Sequence, residues 1–153
     1  MVYVPAVAGV KYTTEPLIEV LVYIHLPSGS SRPLRALIDT GASDDYIHSR
    51  VVEELGIEIN SSSKQEKVSM GQEGLVVSTL GDTKPLTLTS GPFCKYKSYY
   101  SILELEDYDL ILGRPFQRSQ SCYIEGDDVI LRTKRGPQAL PRWATPATEA
   151  VKL

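Results

Sequence analysis

Turn-forming residues interrupt this chain about every ten residues, and the runs between them are short and rich in Val, Ile, Leu, Thr and Tyr. Segments that short cannot bury a core as helices, so the core has to come from paired strands. The expected class is all-β. Residues 17–26 read as a strand stopped by Pro27-Ser28-Gly29-Ser30-Ser31, and 34–38 return from that turn as its hairpin partner. Residues 67–80 split around Gly71-Gln72-Glu73-Gly74 as a second hairpin; 85–89, 96–103 and the almost wholly apolar 109–112 follow. Residues 122–124 and 129–131 flank Glu125-Gly126-Asp127-Asp128 as a last hairpin.

Two short helices interrupt the strands. Ser43 or Asp44 can cap the first, acids sit in its opening turn, Ile47, Val51 and Leu55 repeat at four-residue spacing, and Gly56 ends it. Pro115, suited to a first helical turn, starts the second through Phe116 and Gln117. No solenoid repeat is visible, but Leu37-Ile38-Asp39-Thr40-Gly41 and Leu110-Ile111-Leu112-Gly113-Arg114 echo each other. Each leads an apolar strand into a glycine turn before a helix, and only the first bears an acid.

Composition narrows the class further. The 153 residues suffice for one domain with a core and are too few for two. Cys94 and Cys122 match no zinc spacing, and His25 and His48 lie far from both. No metal, cofactor or disulfide framework is expected, and the thiols read as half-buried and free in a reducing compartment. His25 is expected along a strand and His48 on the helix surface. The longest apolar stretch, 16–26, is broken by Glu19 and His25 and is too short to cross a bilayer; residues 1–10 lack the basic start of a secretory signal. The chain reads as cytoplasmic, with no membrane partner. Residues 1–131 carry 11 bases against 18 acids, a net −7, and 132–153 carry five bases and one acid, a net +4. The basic residues of that tail sit among Gly136, Pro137, Pro141 and Pro146 without a stacking face, so 132–153 is expected to be a flexible linker and not a nucleic-acid site.

Ala36-Leu37-Ile38-Asp39-Thr40-Gly41-Ala42-Ser43 places a carboxylate directly after a strand that should be buried. Burying a lone charge is expensive, and two carboxylates side by side cannot both ionise, so such a pair holds one shared proton. The ionised member can deprotonate a water while the neutral one protonates a substrate oxygen. The plainer reading of Asp39 is a turn residue bonding its own backbone.

Together, Asp39-Thr40-Gly41-Ala42-Ser43 after an apolar strand and Ile111-Leu112-Gly113-Arg114 some seventy residues later resemble the retropepsin-like aspartic proteases of retroviruses and retrotransposons. The helix after the Asp turn, the hairpin at 68–77 and Tyr108-Asp109-Leu110-Ile111-Leu112-Gly113 look most like the long-terminal-repeat retrotransposon branch. The resemblance implies a closed β-barrel of the acid protease type with one or two short helices, each chain forming half of a two-fold dimer. It divides the chain into an N-terminal segment, partly ordered, at 1–14, a protease domain at 15–131 and the tail at 132–153.

It also assigns roles. Asp39 would be the catalytic carboxylate, Thr40 the hydroxyl holding the two turns together across the dimer, and Gly41 the residue whose carbonyl faces the substrate backbone. Ala42, Ser43 and Asp44 would line the wall. Met70, Gly71, Gln72, Glu73 and Gly74 would form a flap tip over an extended peptide. Gly113 and Arg114 would brace the helix after the second turn against the first loop. Retroviral members often carry an acid where Ser43 stands, to pair with the arginine; here Asp44 or Asp45 would have to replace it, and Pro115 also departs from the pattern. With one Asp-Thr-Gly per chain, and about twice this length needed to carry two, activity implies a homodimer. The expected function is an aspartic endopeptidase maturing a polyprotein, in the cytoplasm or within virus-like particles. The other readings are an inactive dimerising or peptide-binding module on the same fold, and a monomeric β-barrel that binds small molecules.

Overall fold

The computed structural model describes residues 2–3, 18–70, 75–105 and 107–144. Strand β1 (Val2–Tyr3) precedes the first long hairpin, β2 (Ile18–His25) and β3 (Ser31–Ile38), which pairs antiparallel along its whole length. Alternation along β2 turns Ile18, Val20, Val22 and Ile24 inward, as a half-buried strand requires. The end of β3 is different. Ala36, Leu37 and Ile38 are all buried, because Leu37 enters a second apolar cluster on the opposite face.

Seven strands form the main sheet. They are β2, β3, β4 (Tyr46–His48), β7 (Leu86–Ser90), β8 (Cys94–Ser98), β9 (Ser101–Leu103) and β10 (Leu110–Leu112), in the order β8-β7-β2-β3-β10-β4-β9. Its two outermost strands are joined by Tyr99 and Tyr100 alone. Three Cα steps reach about 11 Å, whereas the edges of a flat seven-stranded sheet stand about 29 Å apart. The sheet therefore has to curl. It forms a half-barrel in which β8 and β9 are not paired with one another, rather than the closed barrel of the sequence expectation. The run read as one strand at 96–103 is broken at Tyr99-Tyr100 to make this return.

Hairpin β5 (Lys67–Met70) and β6 (Leu75–Ser78) carries β1 on its outer edge, parallel to β5. Residues 71–74, at its tip, lie outside the described residues. Val68 and Val77 pack with Leu37, Ala42, Tyr46 and Ile111 in the second cluster, so the base of this hairpin rests against the Asp39 loop.

The first helix, α1 (Ser49–Leu55), starts later than its sequence signals suggested. Tyr46 and Ile47 pair antiparallel with β10, and Tyr46 to His48 pair parallel with β9. Pairing on both sides outweighs the capping potential of Ser43 and Asp44, and no acid falls in the first turn. His48, expected on the helix surface, is the cap: its Nδ1 accepts the Arg50 N–H at 2.9 Å. Gly56 ends the helix in the left-handed region at φ 64°. The second helix, α2 (Arg114–Ser119), carries Pro115 in its first turn and buries Phe116 completely, worth about 1.5–3 kcal/mol.

The segment expected to be a flexible linker is structured as far as it is described. Strands β11 (Cys122–Glu125), β12 (Asp128–Thr133) and β13 (Gly136–Ala139) form a three-stranded antiparallel sheet. Beyond it, Pro141 accepts the Leu21 N–H at 2.9 Å, and the Trp143 N–H reaches Glu19 at 3.0 Å. Pro137 lies on an edge strand, where a missing N–H is tolerated, so it fits this sheet. Cys94 is buried and Cys122 half-buried, both free; burial pushes the Cys94 thiol up to about 12.

Candidate active site

Strands β3 and β10 lie side by side and parallel, with Ile38 opposite Leu112. The two echoing sequences are thus neighbours, and their glycine turns leave the sheet at the same end. There they hold each other. The Asp39 N–H donates to Leu112 O at 3.1 Å, and the Arg114 N–H donates to Ala42 O at 2.9 Å. Gln117, on α2, sends its side-chain amide to both Asp39 O at 3.1 Å and Leu112 O at 3.2 Å.

Gly113 is packed so tightly into this contact that a Cβ would stand 2.3 Å from Asp44 O and 2.6 Å from Ala42 O. No other residue type fits there. Gly113 is thus a point of close approach between the two turns, where the Arg114 N–H also meets Ala42 O; the Arg114 side chain is exposed and makes no ion pair among the described residues.

Asp39 is 8% exposed. Its Oδ1 accepts the Gly41 N–H at 2.9 Å, whereas its Oδ2 is buried with no hydrogen-bond partner. Burial raises the carboxyl above its ordinary value, and the N–H groups of Gly41 and Ala42 pull it partly back. Thr40 is exposed beside it, Gly41, Ser43 and Asp44 are half-buried, and Ala42 is enclosed in the second cluster. Burial, and then Asp82, raise the Asp44 carboxyl as well. Met70 ends β5, while Gly71, Gln72, Glu73 and Gly74 lie outside the described residues.

Two functional candidates escaped the sequence reading. Asp45 appeared there only as a stand-in partner for Arg114; it is buried and instead accepts the Gly113 N–H at 2.8 Å and the Tyr96 hydroxyl at 2.5 Å. The sequence places Gln117 on the short helix and gives it no role. Neither is signalled by spacing, since their partners lie on other elements. Among the described residues, no three His, Cys, Asp or Glu side chains gather as a metal site.

No family model and no curated protein sequence matches the chain. Solved structures do. The retroviral protease-like domain of Ddi1 from Leishmania major aligns with a TM-score of 0.58 at 12% identity, covering 86% of this chain and 97% of that one. The EIAV protease, in a complex with an inhibitor, aligns with a TM-score of 0.52 at 21% identity, covering 76% of this chain and 99% of that one. The fold is retropepsin-like. At these identities the likeness speaks for the fold, and within it Asp39 follows a buried strand at the glycine turn that meets Leu112-Gly113.

Proposed function

We propose that the chain is an aspartic endopeptidase that works as a homodimer. The observation carrying this reading is the Asp39 carboxyl: one oxygen is held by Gly41 while the other is buried and unpartnered within its own chain. A buried acceptor left alone costs about 1–3 kcal/mol, more when charged, so a second group is expected to meet it. With one such acid per chain, two-fold symmetry offers the same residue from a second copy. Two carboxyls sharing one proton would relieve both, consistent with the upward push that burial already exerts on Asp39.

The reaction follows from that pair. The ionised carboxyl takes a proton from a water, the water oxygen adds to the peptide carbonyl carbon, and the neutral carboxyl protonates the carbonyl oxygen. The carboxyl that took the water's proton then passes it to the amide nitrogen, the other carboxylate takes a proton from a diol hydroxyl, and the C–N bond breaks to free the amine and a carboxylic acid; no covalent enzyme intermediate forms. The substrate would lie extended beneath the β5–β6 hairpin, its backbone bonded strand-fashion and alternate side chains entering apolar pockets. The resemblance to the retrotransposon branch supports a retroelement polyprotein as substrate, matured in the cytoplasm or within virus-like particles.

Asp39→Asn tests the reading. It is expected to abolish cleavage of an extended apolar peptide while the chain stays folded, and pepstatin-type inhibitors should block the wild type at mildly acid pH. Activity per chain should also fall on dilution. Cleavage that survives Asp39→Asn would place the activity elsewhere; a folded, dimeric wild type that cleaves nothing would point to a binding module.

A further inference from the structure

Leu112 and Gly113 share one peptide group, and that group is gripped from both sides. Its N–H donates to the Asp45 carboxylate at 2.8 Å, and its C=O accepts the Asp39 N–H at 3.1 Å. Asp45 is 4% exposed, and its second oxygen is held by the Tyr96 hydroxyl, which comes from β8 on the far side of the sheet order. Tyr96 in turn meets Phe116 of α2 edge-on, with ring centroids 5.2 Å apart. The carboxylate, the peptide and the Asp39 backbone thus form one line of hydrogen bonds inside the fold.

We propose that Asp45 is a positioning residue that acts on Asp39 through the Leu112–Gly113 peptide. A charged acceptor on the N–H fixes the plane of that peptide and strengthens its carbonyl as an acceptor for Asp39. The arrangement does within one subunit what an ion pair to Arg114 was expected to do. Asp45 is almost wholly buried, and the hydrogen bonds described for its carboxylate go to Tyr96 and Gly113 and not to the Asp39 carboxyl. As a statement about catalysis the proposal rests on the endopeptidase reading; as a statement about what holds the Asp39 backbone it does not.

The test uses the full chain with Asp45→Leu and Asp45→Asn, and reads backbone amide exchange residue by residue. A hydrogen bond to a charged group corresponds to about a tenfold change or more. In Asp45→Leu, the Gly113 amide, which loses that bond, should therefore exchange about tenfold faster, and the Asp39 amide should also speed up, with Val22 and Ile24 in β2 unchanged. Asp45→Asn, which keeps the shape and one acceptor oxygen, should fall between. A merely structural role would speed all these amides together through global unfolding, and that result, or an unchanged Asp39 amide, overturns the proposal. If Asp45→Leu does not fold, Asp45→Asn decides by the same comparison. In the cleavage assay kcat should fall with KM unchanged, and Asp45→Asn should recover much of it. Failure of the endopeptidase reading is seen separately, in Asp39→Asn, and leaves the exchange result standing.

Discussion

Gly113→Ala should be among the most damaging single-methyl additions available to this protein. The new Cβ would lie 2.3 Å from Asp44 O and 2.6 Å from Ala42 O, against the 3.4 Å or more of ordinary contact. Both obstacles are backbone atoms, so no side chain can swing aside; the two turns have to part by about 1 Å to reach ordinary contact. Parting them strains the Arg114 N–H to Ala42 O bond and the Gly113 N–H to Asp45 bond. The first is worth about 1 kcal/mol and the second, to a charged acceptor, about 1.5–3. Overpacking adds about 1–3 kcal/mol, and because these effects overlap the expected loss is about 3–5 kcal/mol. Against a total stability of about 5–15 kcal/mol, the variant should sit near the edge of folding. Urea unfolding followed by circular dichroism measures it. Gly56→Ala is the control: its φ of 64° makes alanine strained, but nothing lies within 4 Å of the new methyl. It should lose only about 1–2 kcal/mol, the cost of the left-handed conformation. A loss below about 1 kcal/mol for Gly113→Ala, or one no larger than the control's, would refute the steric argument.

Two pH effects follow from named groups. Burial raises Asp39 in the folded chain, so its favourable contribution is complete below the unfolded value of 3.8 and is lost as pH rises through the higher folded value. Asp39→Asn should therefore gain stability relative to wild type as pH rises across that window, by thermal melting; a gap that stays constant would contradict it. His48 caps α1 only while its Nδ1 is unprotonated, and burial, with Arg50 second, lowers it from 6.5. Its contribution, about 1 kcal/mol by comparison with other caps, is present above 6.5 and lost as pH falls through the lower folded value. The melting-temperature difference between wild type and His48→Ala should close on acidification; a difference that persists would mean the ring is not the cap.

Much of the architecture was legible because it depends on local pattern. The alternation in 18–25, the turn at 27–31, the glycine after Leu55 and the proline in the first turn of α2 each declare themselves within a few residues. The same holds for the Asp-Thr-Gly turn and for the echo at Leu112-Gly113, whose physical meaning is the parallel pairing of β3 with β10. Where local signals competed with long-range pairing, they lost. Ser43 and Asp44 look like helix caps, yet Tyr46 to His48 gain hydrogen bonds on two sides as a central strand. The Gly-Pro run after Arg132 looks like a linker, yet Gly136–Ala139 completes a sheet on the preceding strand.

The amino-acid sequence by itself thus determined the strand-rich class, the two glycine turns and the identity of the one acid that follows a buried strand. The tertiary structure alone decided that Asp45 reaches Gly113 and Tyr96, that Gln117 spans both turns, and that one Asp39 oxygen is buried without a partner. The physical reason is reach. Periodicity and turn chemistry act over a few residues, whereas the contacts of Asp45 with Tyr96 and Gly113 and of Gln117 with Asp39 join positions 51 to 78 apart, and only the curl of the sheet brings them together.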